Sequence, residues 1–68
     1  MKAKINSDKV MWLCVNSDDC IWLCESEPRW CHHGYWDEWS TRFIIIGHAE
    51  NVKNFRSTLR KVRIQEAT

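Results

Sequence analysis

Apolar residues crowd Lys9 to Val15, give way to the polar cluster Asn16-Ser17-Asp18-Asp19, and return from Cys20 to Glu25. Two short apolar runs around four turn-forming residues predict a β-hairpin. Closing the turn over Asn16 to Asp19 pairs Val15 with Cys20. That register puts Met11, Leu13 and Val15 on one face with Cys20, Trp22 and Cys24, and Val10, Trp12 and Cys14 on the other with Ile21 and Leu23. Residues 27 to 38 hold the one proline and Gly34 and show neither period, so they read as a loop. Trp39 to Ile46 is expected as a third strand, ended by Gly47 and the best buried of the three, because Ile44, Ile45 and Ile46 are β-branched. After Ala49, Val52, Phe55, Leu59 and Val62 recur at spacings of three, four and three, which predicts an amphipathic helix. Lys61 to Gln65 also alternates with period two, so a short fourth strand at the C-terminus is the alternative.

The expected fold is therefore α+β: a small three-stranded antiparallel sheet in the order β-β-β-α, with a C-terminal amphipathic helix on one face. Both faces of the hairpin, and both sides of the third strand, are apolar, whereas a sheet with one wet face alternates apolar and polar. One helix covers one face. The other is closed either by the loop, laying Trp30, Tyr35 and Trp36 over it, or by another chain, as in a homodimer.

At 68 residues there is room for one small domain, spanning 1–68, with a marginal core. Five tryptophans is a high density for such a chain. Net charge is +1, which by itself argues for no polyanionic partner. Its distribution is uneven: residues 1–48 carry five Lys/Arg against seven Asp/Glu, and residues 49–68 carry five against two. Lys53, Arg56, Arg60 and Arg63 would form a stripe within about 80° of a helical wheel. The first eight residues lack the apolar stretch of a secretory signal, and no run is long enough to span a bilayer. The expected location is cytoplasmic, with reduced cysteines.

Four cysteines and adjacent histidines raise the question of zinc. Separations of five, three and six between Cys14, Cys20, Cys24 and Cys31 do not match the close pairs of structural zinc sites. Any site would draw on Cys24, Cys31, His32 and His33, and the expectation is no metal and no cofactor. No phosphate loop, nucleophile elbow or zinc-protease helix is present, and no catalytic residue is expected. The strongest feature is aromatic: Trp30, Tyr35, Trp36 and Trp39 lie within ten residues, beside Asp37 and Glu38. Trp and Tyr are enriched at interface hot spots.

In size and style the chain resembles small accessory proteins of phages and mobile elements, many of which inhibit a host protein by occlusion. The leading expectation is a non-catalytic binding or inhibitory module that meets a protein partner through Trp30, Tyr35, Trp36, Asp37, Glu38 and Trp39 and the basic stripe. The alternatives are a nucleic-acid-binding module using Lys53, Arg56, Arg60 and Arg63, and a zinc-stabilised interaction domain.

Overall fold

A computed structural model of the chain describes residues 9–64; the N-terminal eight residues and Gln65, the last residue of the C-terminal alternation, lie outside them. The strands are β1 (Lys9–Val15), β2 (Cys20–Cys24), β3 (Trp30–Cys31), β4 (Tyr35–Trp36), β5 (Phe43–His48) and β6 (Arg60–Ile64). Four of them form an antiparallel sheet in the order β5-β2-β1-β6, and β3 and β4 form a separate small hairpin. Among the described residues there is no α-helix, only the 3-10 turn Arg56–Thr58. The expected C-terminal helix is overturned, and the fold is all-β.

The first hairpin forms where the apolar pattern places it, but in a different register. Asn16 remains in the ladder, its N–H donating to the Cys20 carbonyl at 3.0 Å. The turn is then only Ser17, Asp18 and Asp19. Asp19 adopts φ 68°, the left-handed residue that completes a three-residue hairpin loop. Val15 consequently faces Ile21, Cys14 faces Trp22, and Trp12 faces Cys24. A slip of one residue exchanges the faces of a strand, so Cys14 shares its face with Trp22 and Cys24, the reverse of the expectation.

That face holds the core. Cys14, Cys20, Trp22, Cys24 and Trp36 are buried, and Trp12, Trp30, Phe43 and Leu59 pack against them. Trp22 stacks on Phe43 with ring centroids 3.7 Å apart. The lid is the segment expected to be a loop, which instead forms the β3–β4 hairpin. Gly34, at φ 105°, turns it, and Trp30 and Trp36 meet edge to face at 5.0 Å above the sheet. Asn16 anchors the lid: its Oδ1 accepts the Trp36 N–H at 2.7 Å. The Trp36 indole N–H donates to the Phe55 carbonyl at 3.3 Å, which satisfies its one polar atom.

The helix fails because its apolar residues are needed in separate places. Leu59 packs into the core, while Val62 pairs with Met11 across β1 and β6. Thr58 ends the turn by accepting the Val15 N–H on its hydroxyl at 2.8 Å. A helix through 49–63 would leave the outer edge of β1 unpaired, and Val62 and Ile64 are β-branched residues suited to closing it.

β5 also differs from expectation. It begins at Phe43, not Trp39, and runs through Gly47 to His48. A bulge at its pairing with Ile21 and Trp22 places Gly47 against the Ile21 side chain, where an added Cβ would come to 3.7 Å of Ile21 Cδ1. It is an edge strand, not the best buried one: Ile44, Ile45 and Ile46 are 61%, 52% and 52% exposed. The face opposite the core carries Met11, Leu13, Val15, Ile21 and Leu23, all half-buried.

Candidate binding surface

The aromatic segment divides into core and surface. Trp36 is buried and Trp30 half-buried, so these two belong to the lid. Tyr35 is 42% and Trp39 88% exposed. Isolated exposed aliphatics are ordinary on small proteins, but an indole left this open forgoes a large burial term.

Trp39 is held by a polar turn built on Asp37. The Asp37 carboxylate accepts the Trp39 N–H at 2.9 Å, and the Asp37 carbonyl accepts the Ser40 N–H at 3.1 Å and the Ser40 hydroxyl at 2.6 Å. Arg29 completes the arrangement. Its carbonyl accepts the Asp37 N–H at 2.9 Å, and its guanidinium meets the Asp37 carboxylate at 3.4 Å. The local sequence Asp-Glu-Trp-Ser thus forms an Asx turn that presents the indole outward on a fixed backbone.

Between this turn and the tip of the first hairpin lies a shallow cleft of about 370 Å³, lined by Asn16, Ser17, Asp18 and the run Tyr35 to Trp39. Three of its residues are acidic: Asp18, Asp37 and Glu38. Asp37 is partly neutralised by Arg29, and Asp18 Oδ1 accepts the Cys20 N–H at 3.1 Å. The Tyr35 phenol is raised above its ordinary value, first by a hydrogen bond with Cys31 and then by the negative charge around it, so it keeps its proton to a higher pH than a free phenol. The cleft is aromatic and anionic.

Among the described residues the cysteines divide between the sheet, which buries Cys14, Cys20 and Cys24, and the lid, which holds Cys31. Cys14 and Cys24 share a hydrogen bond that pushes the Cys14 thiol far up, with burial adding to it, and holds Cys24 down against its own burial. Cys20 is raised by burial, with the Asp18 carboxylate as a second cause. Among the described residues no three of His, Cys, Asp and Glu converge on a point, so Cys24, Cys31, His32 and His33 are not gathered into a site. His32 and His33 instead lie side by side, ring centroids 4.4 Å apart.

The helix face that would have carried the basic stripe is absent among the described residues, although Lys53 and Arg60 line one cleft. Lys53 precedes the 3-10 turn, Arg56 is in it, and Arg60 and Arg63 are in β6. Three residues apart on a strand, Arg60 and Arg63 belong to opposite faces. The residues that sequence reasoning missed are Asn16 and Asp18, which it assigned only to a turn. Their place beside Trp36 depends on a contact twenty residues away, and the one local hint is that an Asn-Ser-Asp-Asp turn is rich in acceptors.

No protein family, curated protein or solved structure matches the chain. No helix among the described residues is long and apolar enough to cross a membrane.

Proposed function

We propose that the protein is a non-catalytic binding module whose cleft receives a basic segment of a protein partner. The observation that carries this reading is Trp39, 88% exposed and fixed by the Asp37 turn, beside three carboxylates. A lysine or arginine side chain laid on the indole face gains a cation-π contact of about 0.5–1 kcal/mol at an exposed site. Asp18 and Glu38 then offer the charge complement, and Tyr35 a second aromatic wall. Occlusion of a partner's basic surface is the mode of action that follows. The same carboxylates disfavour phosphate at this cleft, which supports a basic peptide over a nucleic acid as its ligand; Lys53 and Arg60 line a different cleft.

The test is a nuclear magnetic resonance titration with arginine-rich, glutamate-rich and single-stranded DNA oligomers of matched length. The arginine-rich peptide is expected to shift the indole N–H of Trp39 and the ring of Tyr35, to weaken with salt, and to bind Trp39→Ala about two- to fivefold less tightly. A response to DNA in its place, or undiminished peptide binding by Trp39→Ala, would sink the proposal.

A further inference from the structure

Among the described residues the four-stranded sheet ends in two edges, β5 and β6, and they differ in chemistry. Which backbone groups face outward follows from the alternation of antiparallel ladders. At the β5 side the Glu25 N–H donates to the Arg42 carbonyl at 2.9 Å. Residues 25 and 42 are therefore a hydrogen-bonded pair, as are Leu23 and Ile44 two steps on, in the observed register. Phe43 and Ile45 then turn their N–H and C=O groups away from β2, toward the open side. Applied through β1, starting from the Asn16–Cys20 bond and the pairing of Leu13 with Arg60 and Met11 with Val62, the same alternation turns the backbone of Lys61 and Arg63 outward on β6.

The β6 edge is guarded. Antiparallel pairing of two β6 strands through those groups sets Lys61 against Arg63, and like charges directly opposite are destabilising; charged residues on an edge are a known defence against such pairing. The β5 edge carries no such defence. Its regular part holds Phe43, Ile44 and Ile45, and the bulge beyond Ile45 ends the regular pairing there.

We propose that β5 is a self-association edge, pairing antiparallel with β5 of a second copy about a two-fold axis at Ile44. In that register Phe43 of each copy exchanges both backbone hydrogen bonds with Ile45 of the other, four bonds in all. Ile44 meets its own counterpart in a non-hydrogen-bonded pair, where side chains are closest. Arg42 falls opposite Ile46, so no like charges face one another. The two sheets become one of eight strands, and the groove whose wall includes Met11, Leu23, Phe43 and Ile44 together with the charged Glu25 and Arg42 borders the seam. The interface is isologous and closed, which limits the assembly to a dimer. It is independent of the Trp39 cleft.

Sedimentation equilibrium over a concentration series, with disulfide trapping, tests this. In a Cys31→Ser background, Ile44→Cys is expected to give a covalent dimer on mild oxidation, and Val62→Cys on β6, the residue that would meet its own counterpart if two β6 strands set Lys61 against Arg63, is not. Ile45→Pro removes an outward N–H that the monomer does not use, a position where an edge strand accepts proline. It and Ile44→Lys are each expected to weaken the dimer roughly tenfold or more while leaving the far-ultraviolet circular dichroism of the monomer unchanged. A monomer at every concentration, trapping through Val62→Cys, or a dimer indifferent to Ile44→Lys overturns the proposal. Species larger than a dimer also overturn it, since they would mean β5 pairing with β6 in an open chain.

Discussion

Trp36 and Trp39 stand three residues apart and meet opposite fates, because one is satisfied by the core and the other has nothing to satisfy it. Trp36 is 3% exposed and gives its indole N–H to Phe55. Trp36→Ala is expected to cost about 3–5 kcal/mol, comparable to the whole stability of a domain this small. Trp39→Ala is expected to change stability by no more than about 0.5 kcal/mol. Urea denaturation of the two variants checks this, and equal costs would mean that Trp39 is structural. The buried thiols set a pH dependence of definite sign. Cys14 and Cys20 are raised in the folded protein above the ordinary thiol value of 9.0. Their contribution is fully present below that value and is lost as pH rises past it, because the unfolded chain then releases protons that the folded one keeps. Cys24 acts with the opposite sign through the hydrogen bond it shares with Cys14, one thiol against the two that are raised, which set the direction. Urea midpoints are expected to be flat from about pH 6 to 8 and to fall as pH passes about 9; a midpoint that rises there would contradict the assignment.

At the scale of elements, the three-residue loop of the first hairpin decides the most. A non-glycine residue in the left-handed region costs about 1 kcal/mol, and Asp19 sits there at φ 68°. Its carbonyl accepts the Ala49 N–H at 2.9 Å, a main-chain bond that does not depend on the side chain. Asp19→Gly is therefore expected to stabilise by about 0.5–1 kcal/mol, and Asn16→Ala, which strips the anchor from the Trp36 N–H, to destabilise by about 1–3 kcal/mol. Thermal melts of both variants check the pair; a stabilising Asn16→Ala would mean that the lid does not hang on Asn16. The same loop shows why the cysteine faces were misassigned. Asn, Ser and Asp all favour turns, so composition does not say whether Asn16 belongs to the loop or to the ladder, and that one residue sets the face of every residue after it.

For the whole molecule, Cys14 and Cys24 lie on the two central strands, and Cys20 begins the second of them. Exposing any of these three buried thiols means opening the sheet and its tryptophan lid together, whereas Cys31 is half-exposed in the lid. Alkylation of the native protein followed by mass spectrometry is expected to add one group rapidly, at Cys31. The remaining three should follow in a single phase at the rate of global opening, and rapid labelling of Cys20 alone would show that the hairpin opens by itself.

Local pattern was enough for the elements whose identity rests on neighbours in sequence: the first hairpin around its polar turn and a β-rich stretch through Ile44 to Ile46. Tertiary structure alone decided what depends on distant partners. Leu59 and Val62 fit a helical wheel as well as they fit a core contact and a strand, and the unpaired edge of β1 settled the choice. The tryptophans from 30 to 39 looked alike until the sheet offered one apolar face large enough for Trp30 and Trp36 but not for Trp39. Periodicity records that a residue is apolar; which surface receives it depends on backbone groups and volumes contributed by residues far along the chain.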